Sequence, residues 1–227
     1  MVSNDVEALE VGGVCEALLL TPKARLIAPL RVWRRGADEF LLLTEPGLGA
    51  TVLAALRRAR FAAKVELEPE EHDSWIVLDE PRGGLPTQDY GVRAAEVLDE
   101  EPAGDAIDAD ELERLRIRAG TPAWGRELDD RVLPAEAGLL DRAVSLTKGC
   151  YPGQEPIARL HHRGHVNRRL RVLDVGAAEP GDEIMHGEKT VGRITSAVGG
   201  VALGYVRIEV PDDAELIAGG KPARLRP

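Results

Sequence analysis

Short apolar runs closed by glycine or proline dominate the first fifty positions. "VCEALLLTP" stops at Pro22, "ARLIAPLRVWRR" is interrupted at Pro29, and "ADEFLLLTEPG" ends on Pro46 and Gly47. Such runs predict strands, and three in succession predict an antiparallel meander whose second strand is broken or kinked at its proline. The period then changes. In "GLGATVLAALRRARFAAK", Val52, Leu53 and Leu56 fall on one face of an alanine-rich stretch, which predicts a helix. "VELEPEEHDSWIVLDEPRGG" returns to a strand pattern. Residues 79–108, rich in Asp, Glu, Gly and Pro, predict loops, short strands and one short helix. Asp108 is the expected N-cap of a second helix, with Glu111 as its capping-box partner. Leu112, Leu115 and Ile117 give that helix an apolar side before Gly120 and Pro122 end it.

Residues 120–155 form a long turn-rich passage. Chains seldom keep such a stretch inside a fold unless it has work there. From Arg168 onward, "RRLRVLDV", "EIMHG", "KTVGRITSAVGG", "VALGYVRIEV" and "AELIAGGKPARLR" alternate with Gly and Pro. This pattern predicts a small antiparallel barrel or sandwich. The expected division is an α+β part over 1–163 and a β domain over 164–227.

Composition narrows the classes. The chain has 227 residues, 44% hydrophobic and 30% charged, which suits a soluble globular protein. Cys15 and Cys150 are its 2 cysteines, and neither sits in a CxxC, so reduced thiols are expected and no structural metal site is. No apolar run is long enough to span a membrane, and the first residues do not read as a signal peptide. A cytoplasmic location follows as an expectation. The net charge of −10 argues against direct nucleic-acid binding.

Four features can carry chemistry. Cys150 sits in a glycine-rich turn beside Lys148, an arrangement that favours a thiolate able to act as nucleophile, redox partner or soft metal ligand. A half-buried cysteine acting as a small hydrophobe has the same local sequence. Arg159, Arg163, Arg168, Arg169 and Arg171 form a basic run that suits carboxylate or phosphate, or else a solvated strand face. Trp124, between turn residues in "GTPAWGREL", can stack a flat heterocycle or pack on its own domain. Glu136 in "LPAEAGLLD" can accept hydrogen bonds from such a ring or lie on a helix surface.

The stretch "KGCYPGQE", Lys148 to Glu155, resembles the signature of the YgfZ family of folate-binding proteins, relatives of the glycine-cleavage aminomethyltransferase or T-protein. The surrounding "LRIRAGTPAWGREL" and the later "GRITSAVGGVALGYVR" are similar to the same family. The resemblance implies an α+β, T-protein-like (GcvT-like) folate-binding fold of ferredoxin-like subdomains with a C-terminal small antiparallel β-barrel, shortened at the N-terminus. It implies tetrahydrofolate or a derivative as cofactor and iron–sulfur client enzymes as partners. The function it implies is accessory: support of iron–sulfur enzyme assembly or repair and of tRNA modification. The alternatives are a one-carbon transferase and a scaffold with a degenerate pocket. Cys150 and Lys148 are the residues expected to carry chemistry. Trp124, Glu136, Trp33, Tyr151, Gln154 and Arg163 are those expected at the folate. No metal ligands are expected. The aminomethyltransferase aspartate falls on Ala28 and Pro29, which cannot accept a proton, so aminomethyl transfer is not expected. Arg118 and Ala24 replace a glutamate and a glycine common in relatives.

Overall fold

The computed structural model describes residues 1–60, 63–79 and 83–226, apart from the side chain of Arg163. In chain order its elements are β1 (Val14–Leu20), β2 (Leu26–Arg34), β3 (Phe40–Leu43), α1 (Gly49–Ala59), β4 (Ser74–Leu78), β5 (Leu85–Thr87), β6 (Ala94–Leu98) and α2 (Ala109–Arg118). There follow α3 (Leu140–Ala143), α4 (Gln154–Arg163), β7 (Arg168–Val175), β8 (Glu183–His186), β9 (Lys189–Val198), β10 (Val201–Arg207), β11 (Leu216–Ala218) and β12 (Lys221–Leu225). They gather into two compact units, one of residues 1–72 and 129–165, the other of 73–128 and 166–227. Each unit draws on two stretches of chain.

In the first unit the predicted meander forms as an antiparallel sheet in the order β1-β2-β3. Val52 and Ala55 of α1 join Ala17, Leu19, Ala28, Leu30 and Val32 in one apolar core, which is why the helix packs where its stripe faces the sheet. Pro29 does not break β2. It stays in register opposite Leu18, beyond the last β2–β3 pair of Arg31 with Leu43. Its carbonyl accepts the Thr44 hydroxyl at 2.9 Å, so the missing N–H leaves no gap in the β3 ladder. The expected strand at 65–84 shortens to Ser74–Leu78, while 80–82 lies outside the described residues.

The second unit holds a small sheet in the order β4-β6-β5 and a closed barrel in the order β10-β7-β12-β11-β8-β9. Leu173, Ile184, Ile194, Ala202, Val206 and Leu216 fill the barrel core. Closure removes the sheet edges that a sandwich would leave. Helix α2 packs on the barrel's outer face through Ile117, which meets Val201 and Leu203. Asp108 caps α2 as expected, accepting the Asp110 N–H at 2.9 Å. Glu111 does not close the capping box. It accepts from Arg114 Nε at 2.9 Å instead.

Helix α4 was not expected. Of its apolar residues only Ile157 is fully buried; Pro156, Ala158 and Leu160 are half-buried, and the rest are Gln, Glu, Arg and His. That stripe is too thin to read as a period. The basic run is therefore split between a helix and β7 rather than forming one strand face.

Candidate functional site

The turn Ser145–Gly153 is pinned at both ends within the first unit. At its start the Ser145 N–H donates to the Ser3 carbonyl at 2.9 Å, and Ser145 Oγ accepts the Lys148 N–H at 3.2 Å. The Lys148 ammonium donates to the carbonyls of Val2 at 3.0 Å and Asn4 at 2.7 Å. It also lies 5.8 Å from the centre of the Tyr151 ring. Two of its three donors are thus committed to the main chain of residues 2–4. The proximity to Cys150 read from sequence is accompanied by a clear structural use of this lysine.

At the far end, Gly153 adopts φ +86° and begins α4. A Cβ there would stand 2.8 Å from the Thr21 carbonyl oxygen and 3.1 Å from Ala24 Cα, in the turn between β1 and β2. Ala24 is itself left-handed, at φ +56°, and fully buried. Left-handed backbone suits a residue without Cβ, which is why glycine is the ordinary choice at such a position. Here the alanine is held in place by the surrounding packing.

Between these anchors, Cys150 is exposed. Its neighbour Tyr151 is only 7% exposed, and its hydroxyl is buried with no hydrogen-bond partner among the described residues. Burial pushes the phenol above its ordinary pKa, so it remains a proton donor at neutral pH. Gln154 is half-buried on the first turn of α4. The structure therefore places Lys148, Cys150, Tyr151 and Gln154 on one short arc.

The other expected site residues of this unit stand elsewhere in it. Trp33 pairs with Val14 and Leu41 in the sheet, and the Arg35 guanidinium covers its ring at 5.3 Å. Arg35 is held by Glu70 through contacts of 2.8 and 3.1 Å, and His72 Nε2 lies 3.0 Å from the same carboxylate. One face of Trp33 is thus already in use. Glu136 lies half-buried in a turn rather than on a helix, where its carboxylate accepts the Leu133 N–H at 3.4 Å. The Arg163 side chain lies outside the described residues. Ala28 is fully buried in the core of the first unit.

In the second unit, Trp124 is half-buried on a turn built around Glu127, a residue missed in the sequence. Glu127 is 1% exposed. Its carboxylate accepts from Arg116 Nη1 at 2.9 Å, Ser196 Oγ at 2.7 Å and the Ala123 N–H at 3.0 Å, and its carbonyl accepts the Tyr205 hydroxyl at 2.9 Å. Burial works against the Arg116 charge. Glu113 and Glu127 outweigh it and keep the guanidinium protonated. The network joins α2, β9 and β10 and fixes the backbone on either side of Trp124. Nothing in the local pattern of "GREL" marks this glutamate as buried. Arg118, on the exposed side of α2, stays out of the network.

Among the described residues no group of three His, Cys, Asp or Glu side chains is arranged to hold a metal ion. No helix among them is long and apolar enough to cross a membrane.

Comparison with known proteins places this geometry. Residues 144–227 match the family of the CAF17 C-terminal beta-barrel domain. A chloroplastic protein of Arabidopsis thaliana carried under a transferase name is 30% identical over 88% of this chain and 58% of its own length. The mitochondrial iron-sulfur cluster assembly factor IBA57 homolog of Mycosarcoma maydis is 28% identical over 75% of this chain and 50% of its own length. The chain thus spans about half the length of these two relatives. The aminomethyltransferase T of the Bartonella henselae glycine cleavage system shares the fold, with a TM-score of 0.75 at 18% identity over 98% of this chain and 76% of that one. The chain accordingly has the GcvT-like α+β fold of ferredoxin-like subdomains and a C-terminal antiparallel barrel, and its sequence is similar to IBA57 proteins, to the CAF17 barrel domain and to aminomethyltransferases.

Proposed function

We propose that the protein binds a reduced folate and serves as an accessory factor for iron–sulfur enzymes, including those that modify tRNA, without aminomethyl transfer of its own. The observation that carries this reading is the pinned arc 148–154, where an exposed thiol adjoins a sealed, unpaired phenol. An exposed thiol on a turn anchored at both ends suits a recurring encounter with a partner. An orphaned buried donor fits a ligand rich in hydrogen-bond acceptors, as a tetrahydrofolate is. Tyr151 and Gln154 are the residues of this arc that would hold it. Bound tetrahydrofolate would supply a carrier nitrogen pair for one-carbon units. This chain lacks the carboxylate to exploit that pair at 28 or 29, since Ala28 is core and Pro29 carries no acid. The name of the Mycosarcoma maydis relative, a cluster assembly factor, agrees with the accessory role.

Titration of the purified protein with tetrahydrofolate, followed by tryptophan fluorescence, is expected to show saturable one-to-one binding. No change up to millimolar ligand rejects the folate reading. Cys150→Ala is expected to leave the melting temperature and the folate affinity close to wild type, because the thiol is exposed. The same variant should fail to restore iron–sulfur enzyme activity in cells lacking the protein. A collapse in melting temperature would instead make the thiol a packing residue.

A further inference from the structure

We propose that the Tyr151 hydroxyl is a ligand contact held in reserve, unpaired in the ligand-free turn and meeting its acceptor when a reduced folate seats against residues 148–154. The inference rests on the folate reading above and gives it a specific residue.

Native proteins pair nearly all their buried polar atoms, so an unpaired one calls for a reason. Tyr151 supplies the one buried side-chain oxygen or nitrogen without a partner among the described residues. A phenylalanine would fill the same space without the desolvation cost of the hydroxyl. The neighbouring lysine does not explain the phenol. Lys148 sits over the ring, spends its donors on the Val2 and Asn4 carbonyls, and has no lone pair to offer. The hydroxyl is a donor without an acceptor, and the ring oxygens and nitrogens of a folate are acceptors.

The hydroxyl is sealed, so seating must shift the turn. The two halves of the motif differ in their freedom to move. Gly153 is packed against Thr21 and Ala24, whereas Gly149 has no atom within 4 Å of a would-be Cβ, and Cys150 is exposed. The 149–151 half therefore moves while the start of α4 stays fixed. Cys150 shifts with it, which couples folate occupancy to the presentation of the thiol.

Tyr151→Phe separates this role from simple packing. The ligand-free variant is expected to melt a few degrees above wild type, because a buried unpaired group has been removed. Its tetrahydrofolate affinity is expected to fall by about five- to tenfold, the scale of one hydrogen bond. A melting temperature at or below wild type means that the hydroxyl is already paired or needed in the free protein, and overturns the proposal. An unchanged affinity overturns it too, and leaves the folate reading intact. Absence of binding to the wild-type protein removes both.

Discussion

Glu127→Ala is expected to destabilise the second unit by about 3–5 kcal/mol, the usual result of breaking one side of a buried ion pair. The loss is mostly that of leaving Arg116 charged and under-paired in a site with little water. Ser196 and the Ala123 N–H would lose their acceptor at the same time. At this chain length the shift corresponds to roughly 10 °C in melting temperature. The comparison that identifies the mechanism is Arg116→Met with Glu127→Leu. Removing both charges should cost much less than the sum of the single variants, because no unpaired ion remains. Additive losses, or a Glu127→Ala shift of a degree or two, would mean that water already reaches the pair. The pH dependence has a definite sign. Burial alone would raise the Glu113 carboxyl, yet hydrogen bonds and charge from Arg116 and Arg126 outweigh it and hold it low. Its contribution is in place above the unfolded value of about 4.3 and drains away as pH falls through the lower folded value.

Gly153→Ala is the second large effect. The left-handed backbone alone costs about 1–2 kcal/mol for a residue with a Cβ. The added atom would also meet the Thr21 carbonyl at 2.8 Å, and that neighbour is backbone rather than a flexible side-chain tip. Either the β1–β2 turn or the start of α4 has to move, with overpacking of a further ~1–3 kcal/mol. The control lies within the same motif. Gly149→Ala faces open space without a left-handed φ and is expected to stay within about 0.5 kcal/mol of wild type. Chemical denaturation of the two variants side by side tests this, and equal losses would refute the assignment.

These glycines show where local reading ends. "KGCYPGQE" marks the turn, but both glycines look alike in it. The left-handed backbone and the approach of the β1–β2 turn make Gly153 obligatory. Lys148 is similar. Its closeness to Cys150 is legible, while its bonds to Val2 and Asn4 join positions 146 and 144 residues away. Trp33 is expected at the folate from the resemblance, and only the fold shows the Arg35 guanidinium over one face of its ring. Helix α4 is hidden because a single buried isoleucine holds it, and a period cannot be seen in one residue.

Much else was local and therefore legible. The meander followed from apolar runs between turn residues, α1 from its stripe, α2 from Asp108, and a barrel or sandwich at the C-terminal end from its evenly punctuated strands, with closure into a barrel decided by the fold. These depend on energies that act within a few residues: backbone preference, capping and one-sided burial. The sequence by itself thus determined the meander, α1, α2 and the β-rich end, the GcvT-like class through its motif, and the position of the cysteine turn. Tertiary structure alone decided which polar groups became partners. The Arg116–Glu127–Ser196 network closes over a separation of 80 residues, and the Tyr151 hydroxyl is left without a partner among the described residues. Burial is what makes these groups matter. Removed from water, a charge or a hydroxyl depends on whichever neighbour the fold brings to it, and that neighbour is not written beside it in the chain.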